Sequence, residues 1–114
     1  MRTEILFNNV DASIAQTSTI YVVDCGQDMR WLLKIKSTGF DGVPKIYIEE
    51  STDNVDWVGI VNYANSLDHW LLDDNLIHIR DSYFMGKSLR LRLDPNGNTT
   101  GTVYSELVIK TKSN

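Results

Sequence analysis

A chain of 114 residues is long enough for one hydrophobic core and too short for two. With 42% hydrophobic and 23% charged residues, two prolines and seven glycines, its composition excludes disordered, collagen-like and linker-rich architectures. The net charge of −4 argues against bulk nucleic-acid binding, and no apolar run approaches the roughly 18 residues of a membrane-spanning helix.

In chain order, Met1 to Phe7 holds three consecutive apolar residues before Asn8, too few for the core of a secretory signal. The chain is therefore expected to be as translated. Ile5 to Val10 and Thr19 to Cys25 are the first candidate strands. The single cysteine, Cys25, cannot form an internal disulfide, which fits a reducing cytosol. It lies in an apolar run beside Asp24 and Asp28, whose charge has the wrong sign to stabilise a thiolate, and it reads as a small buried hydrophobe. From Met29 to Ser37, Trp31, Leu33 and Ile35 alternate with Arg30, Lys34 and Lys36. From Lys45 to Glu50, Ile46 and Ile48 alternate with Lys45, Tyr47 and Glu49. Strand-like runs follow at Trp57 to Val61, Trp70 to Leu72 and Leu76 to Arg80. Tyr63 to Leu72 is ambiguous between strand and helix, and Asp81 to Lys87 reads as an irregular crossover. Leu89, Leu91 and Leu93 alternate with Arg90 and Arg92, then Val103, Leu107 and Ile109 with Tyr104, Glu106 and Lys110. Turn residues fill the gaps at 26–28, 38–42, 53–54, 73–75 and 95–98. Period-two alternation over short segments predicts one domain, residues 1–114. Its expected fold is all-β, an antiparallel β-sandwich, jelly-roll-like or immunoglobulin-like, of eight or nine short strands.

The segment Ser51-x-Asp53-Asn54-x-x-Trp57 directly follows the strand at 45–50 and suits a hairpin tip. Asp53 can accept hydrogen bonds from backbone N–H groups two residues on, and Asn54 tolerates positive φ. Trp57 is expected to fold the return strand onto the core.

Catalytic chemistry is hard to assemble from these residues. Glu49 and Glu50 alternate across a strand and cannot form a dyad. Asp73 and Asp74 sit in a turn open to water. There is no nucleophile elbow and no phosphate-binding glycine loop. His69 and His78 flank a turn and, with Asp68 or Asp73, lack a recognised ligand spacing. Asp94-Pro95-Asn96-Gly97-Asn98 opens like a calcium loop, but its glycine falls two positions early and Ser105 stands where the closing Glu belongs. Asn98-Thr99-Thr100 matches a glycosylation sequon. The expectation is no enzyme activity, no metal site and no cofactor. Residues 41–81 balance at −7 and residues 82–114 at +3. The charges either polarise the molecule for head-to-tail packing or interleave in three dimensions. Arg90, Arg92, Lys110 and Lys112 could line up as a basic stripe beside Tyr104. Five aromatics, Tyr47, Trp70, Tyr83, Phe84 and Tyr104, fall on loops or on the polar side of strands. With Arg90 and Arg92 they form the candidate interface, the alternative being local packing.

The series Ser51-x-Asp53-Asn54-x-x-Trp57, then Ser88-Leu89-Arg90-Leu91-Arg92-Leu93, then Thr99-Thr100-Gly101-Thr102-Val103 and a last strand ending in Lys110 resembles small β-sandwich virion proteins of tailed bacteriophages and prophages. It covers roughly residues 20–112, with Asn54 where that pattern usually has glycine. The resemblance implies an auxiliary (decoration) capsid protein that binds and stabilises the head shell, assembled into the virion in the bacterial host cytoplasm. Its partners would be the major capsid protein or other virion proteins, with self-association also open and no membrane involved. Alternatives are a head–tail or fibre-anchoring component, or a carbohydrate-binding sandwich in which Trp70, Tyr83 or Tyr47 stacks on sugar rings.

Overall fold

The computed structural model describes residues 1–62, 66–73 and 77–112, with backbone only at 77–79. Among these residues it contains ten strands and no helix. They are β1 (Arg2–Asp11), β2 (Gln16–Thr17), β3 (Tyr21–Val22), β4 (Asp28–Thr38), β5 (Lys45–Ser51), β6 (Val58–Gly59), β7 (Trp70–Leu71), β8 (Ile77–Tyr83), β9 (Ser88–Asp94) and β10 (Thr102–Thr111). One sheet has the order β1-β10-β4-β8. The other has the order β2-β9-β5-β6, with β3 also on β9 and β7 also on β5, and every pairing is antiparallel.

Two positions in the second sheet are split strands. β2 pairs with Leu93 and Arg92, and β3 with Leu89 and Ser88. Between them Ser18 takes over the ladder: its N–H donates to the Leu91 carbonyl and its Oγ accepts the Leu91 N–H, each at 2.8 Å. β6 and β7 likewise share the far edge of β5. Counting each split pair once leaves eight strand positions. The first pairs with the last, the second with the seventh, the third with the sixth and the fourth with the fifth. That is the nested pairing of a jelly roll, which decides between the two topologies the sequence left open.

The alternating residues meet between the sheets. Trp31, Leu33, Ile35, Val103, Leu107 and Ile109 face Ile46, Ile48, Leu89, Leu91 and Leu93, all of them buried. Phe7 joins them from β1, its N–H held by the buried Ser105 Oγ at 3.0 Å. Polar pins close both ends of the long strands. At one end Asn98, 2% exposed, accepts the N–H groups of Asp41 (3.0 Å) and Gly42 (2.9 Å) and donates to the carbonyls of Ala12 (3.2 Å) and Thr100 (2.6 Å). Beside it Gly101 has φ +94°, and a Cβ there would lie 2.6 Å from the Thr38 carbonyl oxygen. At the other end the fully buried Asp28 carboxylate receives Arg2 at 2.7 Å, the Tyr21 hydroxyl at 2.5 Å and the Asp24 N–H at 2.8 Å.

Three expectations need correction. Cys25 is exposed, because the chain leaves β3 after Val22 and turns at 25–27. β8 continues to Tyr83, so 81–83 pair with β4 instead of crossing over. Trp57 does not enter the core. It lies two residues before Gly59, which pairs with the outward-facing Glu49, so the alternation turns the indole outward. The segment at 63–72 shows an Asn62–Leu67 bridge and then β7 where it is described. Residues 63–65 and 74–76 lie outside the described residues, as does the His78 side chain.

Candidate functional site

Register builds a layered cluster on the outer face of the six-stranded sheet. β5 and β9 pair antiparallel with Glu49 opposite Arg90 and Tyr47 opposite Arg92, so the outward half of each strand's alternation meets the complementary half of the other. Glu49, about 10% exposed at its side chain, accepts Arg90 Nε at 2.9 Å on one oxygen and Arg92 Nε at 3.1 Å on the other. Each guanidinium is then covered by an aromatic ring. The Arg90 carbon lies 4.1 Å from the centroid of Trp57, and that of Arg92 lies 3.8 Å from the centroid of Tyr47. The ring of His69 sits 5.6 Å from Tyr47 and hydrogen-bonds Asp68 at 3.0 Å.

The hairpin tip places Trp57. Ser51 Oγ accepts the N–H groups of Asp53 (3.2 Å) and Asn54 (2.8 Å), and Asp53 Oδ1 accepts those of Val55 (2.9 Å) and Asp56 (2.8 Å). Asn54 has φ 64°. The Asp56 and Val55 N–H groups, with the Ser51 hydroxyl, hold the Asp53 carboxyl below its usual range. The turn is built as its residues imply, and its product is an outward indole.

Arg90 and Arg92 spend their Nε atoms on Glu49, while their side chains stay 22% and 41% exposed. The result is a rigid surface of two oriented guanidinium groups and two aromatic rings on a β-sheet. Such a surface can recognise carboxylate, amide and aromatic groups of a partner with little loss of side-chain freedom.

The seven interface candidates do not share one face. Tyr47, Arg90 and Arg92 belong to this cluster. Tyr83 lies opposite Arg30 on the outer face of the other sheet, 59% exposed, with the Arg30 guanidinium 4.7 Å from its ring. Tyr104 is on that sheet as well, its hydroxyl donating to Glu106 at 2.7 Å. Trp70 and Phe84 pack against the core and are not free anchors: Trp70 pairs with the inward Ile46, and Phe84 lies 5.9 Å from the ring of Tyr21. The trio suggested for sugar stacking, Trp70, Tyr83 and Tyr47, is therefore dispersed. The basic stripe also dissolves, since Arg90 and Arg92 are in one sheet and Lys110 and Lys112 continue the other. Among the described residues the charge blocks meet within the chain at one place, where Glu49 from the acidic middle bridges Arg90 and Arg92, while Asp81 meets Arg30 at 3.0 Å.

Both the oxygen and the NH2 of the Asn98 side-chain amide are used inside the fold, and Asn96 donates to the Val43 carbonyl at 3.0 Å. The loop at 94–98 is thus a structural pin, and its sequon asparagine is buried. Among the described residues no three His, Cys, Asp or Glu side chains are grouped to hold a metal ion. Sequence reading missed Glu49 as the hinge of the cluster, and the signal was available: the outward face of Lys-Ile-Tyr-Ile-Glu ends in a carboxylate, and that of Leu-Arg-Leu-Arg-Leu carries two guanidinium groups. No protein-family model, curated protein or solved structure matches the chain.

Proposed function

We propose that the protein is a non-enzymatic docking subunit that binds other protein subunits through the outer face of its six-stranded sheet. The observation that supports this reading is the Trp57–Arg90–Glu49–Arg92–Tyr47 stack. Trp, Tyr and Arg are the residues that most often carry interface energy. Here they are held in place before any partner arrives, which lowers the entropic cost of association. The setting we propose is the virion of a tailed bacteriophage or prophage. The subunit would act there as an auxiliary capsid protein that bridges coat subunits and adds buried area at each seam, or as another head–tail or fibre-anchoring component. This setting draws support from the sequence resemblance at 51–57, 88–93 and 99–103. Jelly-roll topology is shared with many coat domains, which is an analogy of fold.

Quantitative peptide mass spectrometry on density-purified particles from the source lysate tests the setting. A copy number comparable with that of the coat protein is the expected result for a decoration subunit. About a dozen copies or fewer would mean a portal, tail or vertex position. Absence from particles would refute the virion setting.

A further inference from the structure

The outer face of the four-stranded sheet carries a second site, distinct in place and chemistry from the Arg–aromatic stack. A groove of about 550 Å³ is lined by Asn9, Lys34, Lys36, Thr38, Thr102 and Tyr104, within the range of roughly 300–1,000 Å³ that holds small ligands. Its floor comes from β4 and β10 in register, Lys36 opposite Tyr104 and Thr38 opposite Thr102. Its wall comes from a bulge in β1. Phe7 pairs with Ser105 and Val10 with Val103, so Asn8 and Asn9 together oppose Tyr104 alone. Asn9 adopts φ 51°, a conformation asparagine tolerates, and bulges of this kind re-aim side chains beside sites.

The charges suit an anion. Among the described residues neither the Lys34 nor the Lys36 ammonium lies within ion-pair reach of a carboxylate. The nearest acidic neighbour in register is Glu106, opposite Lys34, and one oxygen of its carboxylate accepts the Tyr104 hydroxyl at 2.7 Å. Two ammonium groups against one carboxylate leave a local charge of +1. That balance matches a ligand with a single carboxylate and falls short of a nucleic-acid backbone, whose binding needs many phosphate contacts. The remaining lining residues are neutral: Thr38, Thr102, Asn9 and Tyr104, whose hydroxyl is held by Glu106. A bare inorganic anion would fill only a fraction of this volume and would leave those groups unused. A pyranose ring would use the aromatic face for stacking and the hydroxyl and amide groups for its own hydroxyls.

We propose that this groove binds an acidic saccharide, with the sugar carboxylate between Lys34 and Lys36 and a ring laid against Tyr104. The test is an amide NMR titration of the full chain with tetragalacturonate and with sialyllactose, using lactose and sodium sulfate as neutral and simple-anion controls. The expected result is saturable shifts at Lys34, Lys36, Thr38, Thr102 and Tyr104 with at least one acidic oligosaccharide, and at least about tenfold weaker binding of both controls. The Lys34→Gln/Lys36→Gln double variant should weaken binding by about tenfold or more. Tyr104→Phe, which keeps the ring, should retain binding, and Tyr104→Ala should lose it. No shifts at these residues with either acidic oligosaccharide would overturn the proposal. So would sulfate binding as tightly as the sugar, shifts confined to Arg90 and Arg92, or full affinity in Tyr104→Ala.

Discussion

Tyr21 and Asp28 show how a few polar atoms hold one end of this sandwich. Burial, and then the hydrogen bond to Asp28, push the Tyr21 phenol up to about 12. A phenol whose folded pKa exceeds its unfolded value near 10 contributes stability that is complete below about pH 10 and lost as pH rises towards about 12. Thermal melts of the wild type should therefore fall across that window. Tyr21→Phe should be less stable at pH 7 by about 1–2 kcal/mol, since Asp28 loses a partner, and its melting temperature should decline less steeply in alkali. At the other end Asn98→Ala would strand two backbone N–H groups and two carbonyls. A loss of about 3 kcal/mol in denaturant unfolding is expected. A loss below about 1 kcal/mol, as at an ordinary surface site, would contradict that account. The sequence marked Asn98 as a turn residue. Its structural role was illegible because its partners lie on the loops after β1 and β4, far along the chain.

The hairpin between β5 and β6 sets the next scale. Glu50 lies on the inward side of β5 at the end of the sandwich, where its carboxylate accepts the Met85 N–H at 3.3 Å. Burial raises its pKa, against the opposing pull of the Met85 and Gly86 N–H groups. A carboxyl with a raised folded pKa favours the fold below its unfolded pKa and costs stability as pH rises through the folded value. Glu50→Gln keeps the acceptor oxygen and removes the charge. It should raise the melting temperature at pH 7 and leave it nearly unchanged near pH 3, so an unchanged or lower value at pH 7 would count against this reading. Most of the strands were legible, because β4, β9 and β10 alternate between buried and outward residues over most of their length and β5 does so from Lys45 to Ile48. β2 was not, since a two-residue strand has no period of its own and exists through its pairing with Leu93 and Arg92. Alternation also says nothing about which sheet a strand joins. β9 and β10 are consecutive, yet the loop at 95–101 carries the chain from one sheet to the other. For that reason the supposed basic stripe could not form, while the pairing of Glu49 with Arg90 and Arg92 could.

At the scale of the whole molecule, the two outer faces differ. One presents guanidinium groups braced by Glu49 and capped by Trp57 and Tyr47; the other presents a lysine-lined groove. Acid should weaken the molecule slightly at several exposed turns. Asp11, Asp41, Asp53 and Asp68 are all held below their usual range, by Ser13, Thr99, the Asp56 N–H and His69 respectively. Depressed carboxyls contribute stability above their unfolded pKa and lose it as pH falls through the folded value; solvent screens these exposed groups, so the melting temperature should fall modestly below about pH 4 in a pH-melt series. Of the acidic middle, Glu49 is already engaged by Arg90 and Arg92 within one chain. Docking through the Arg–aromatic face is the proposal to be tested. The most direct measurement is co-sedimentation of the purified protein with particles assembled without it, comparing wild type with Trp57→Ala/Arg92→Ala. The account predicts saturable binding by the wild type and binding weaker by about tenfold or more for the variant. Equal binding by both proteins, or none by the wild type, would contradict it.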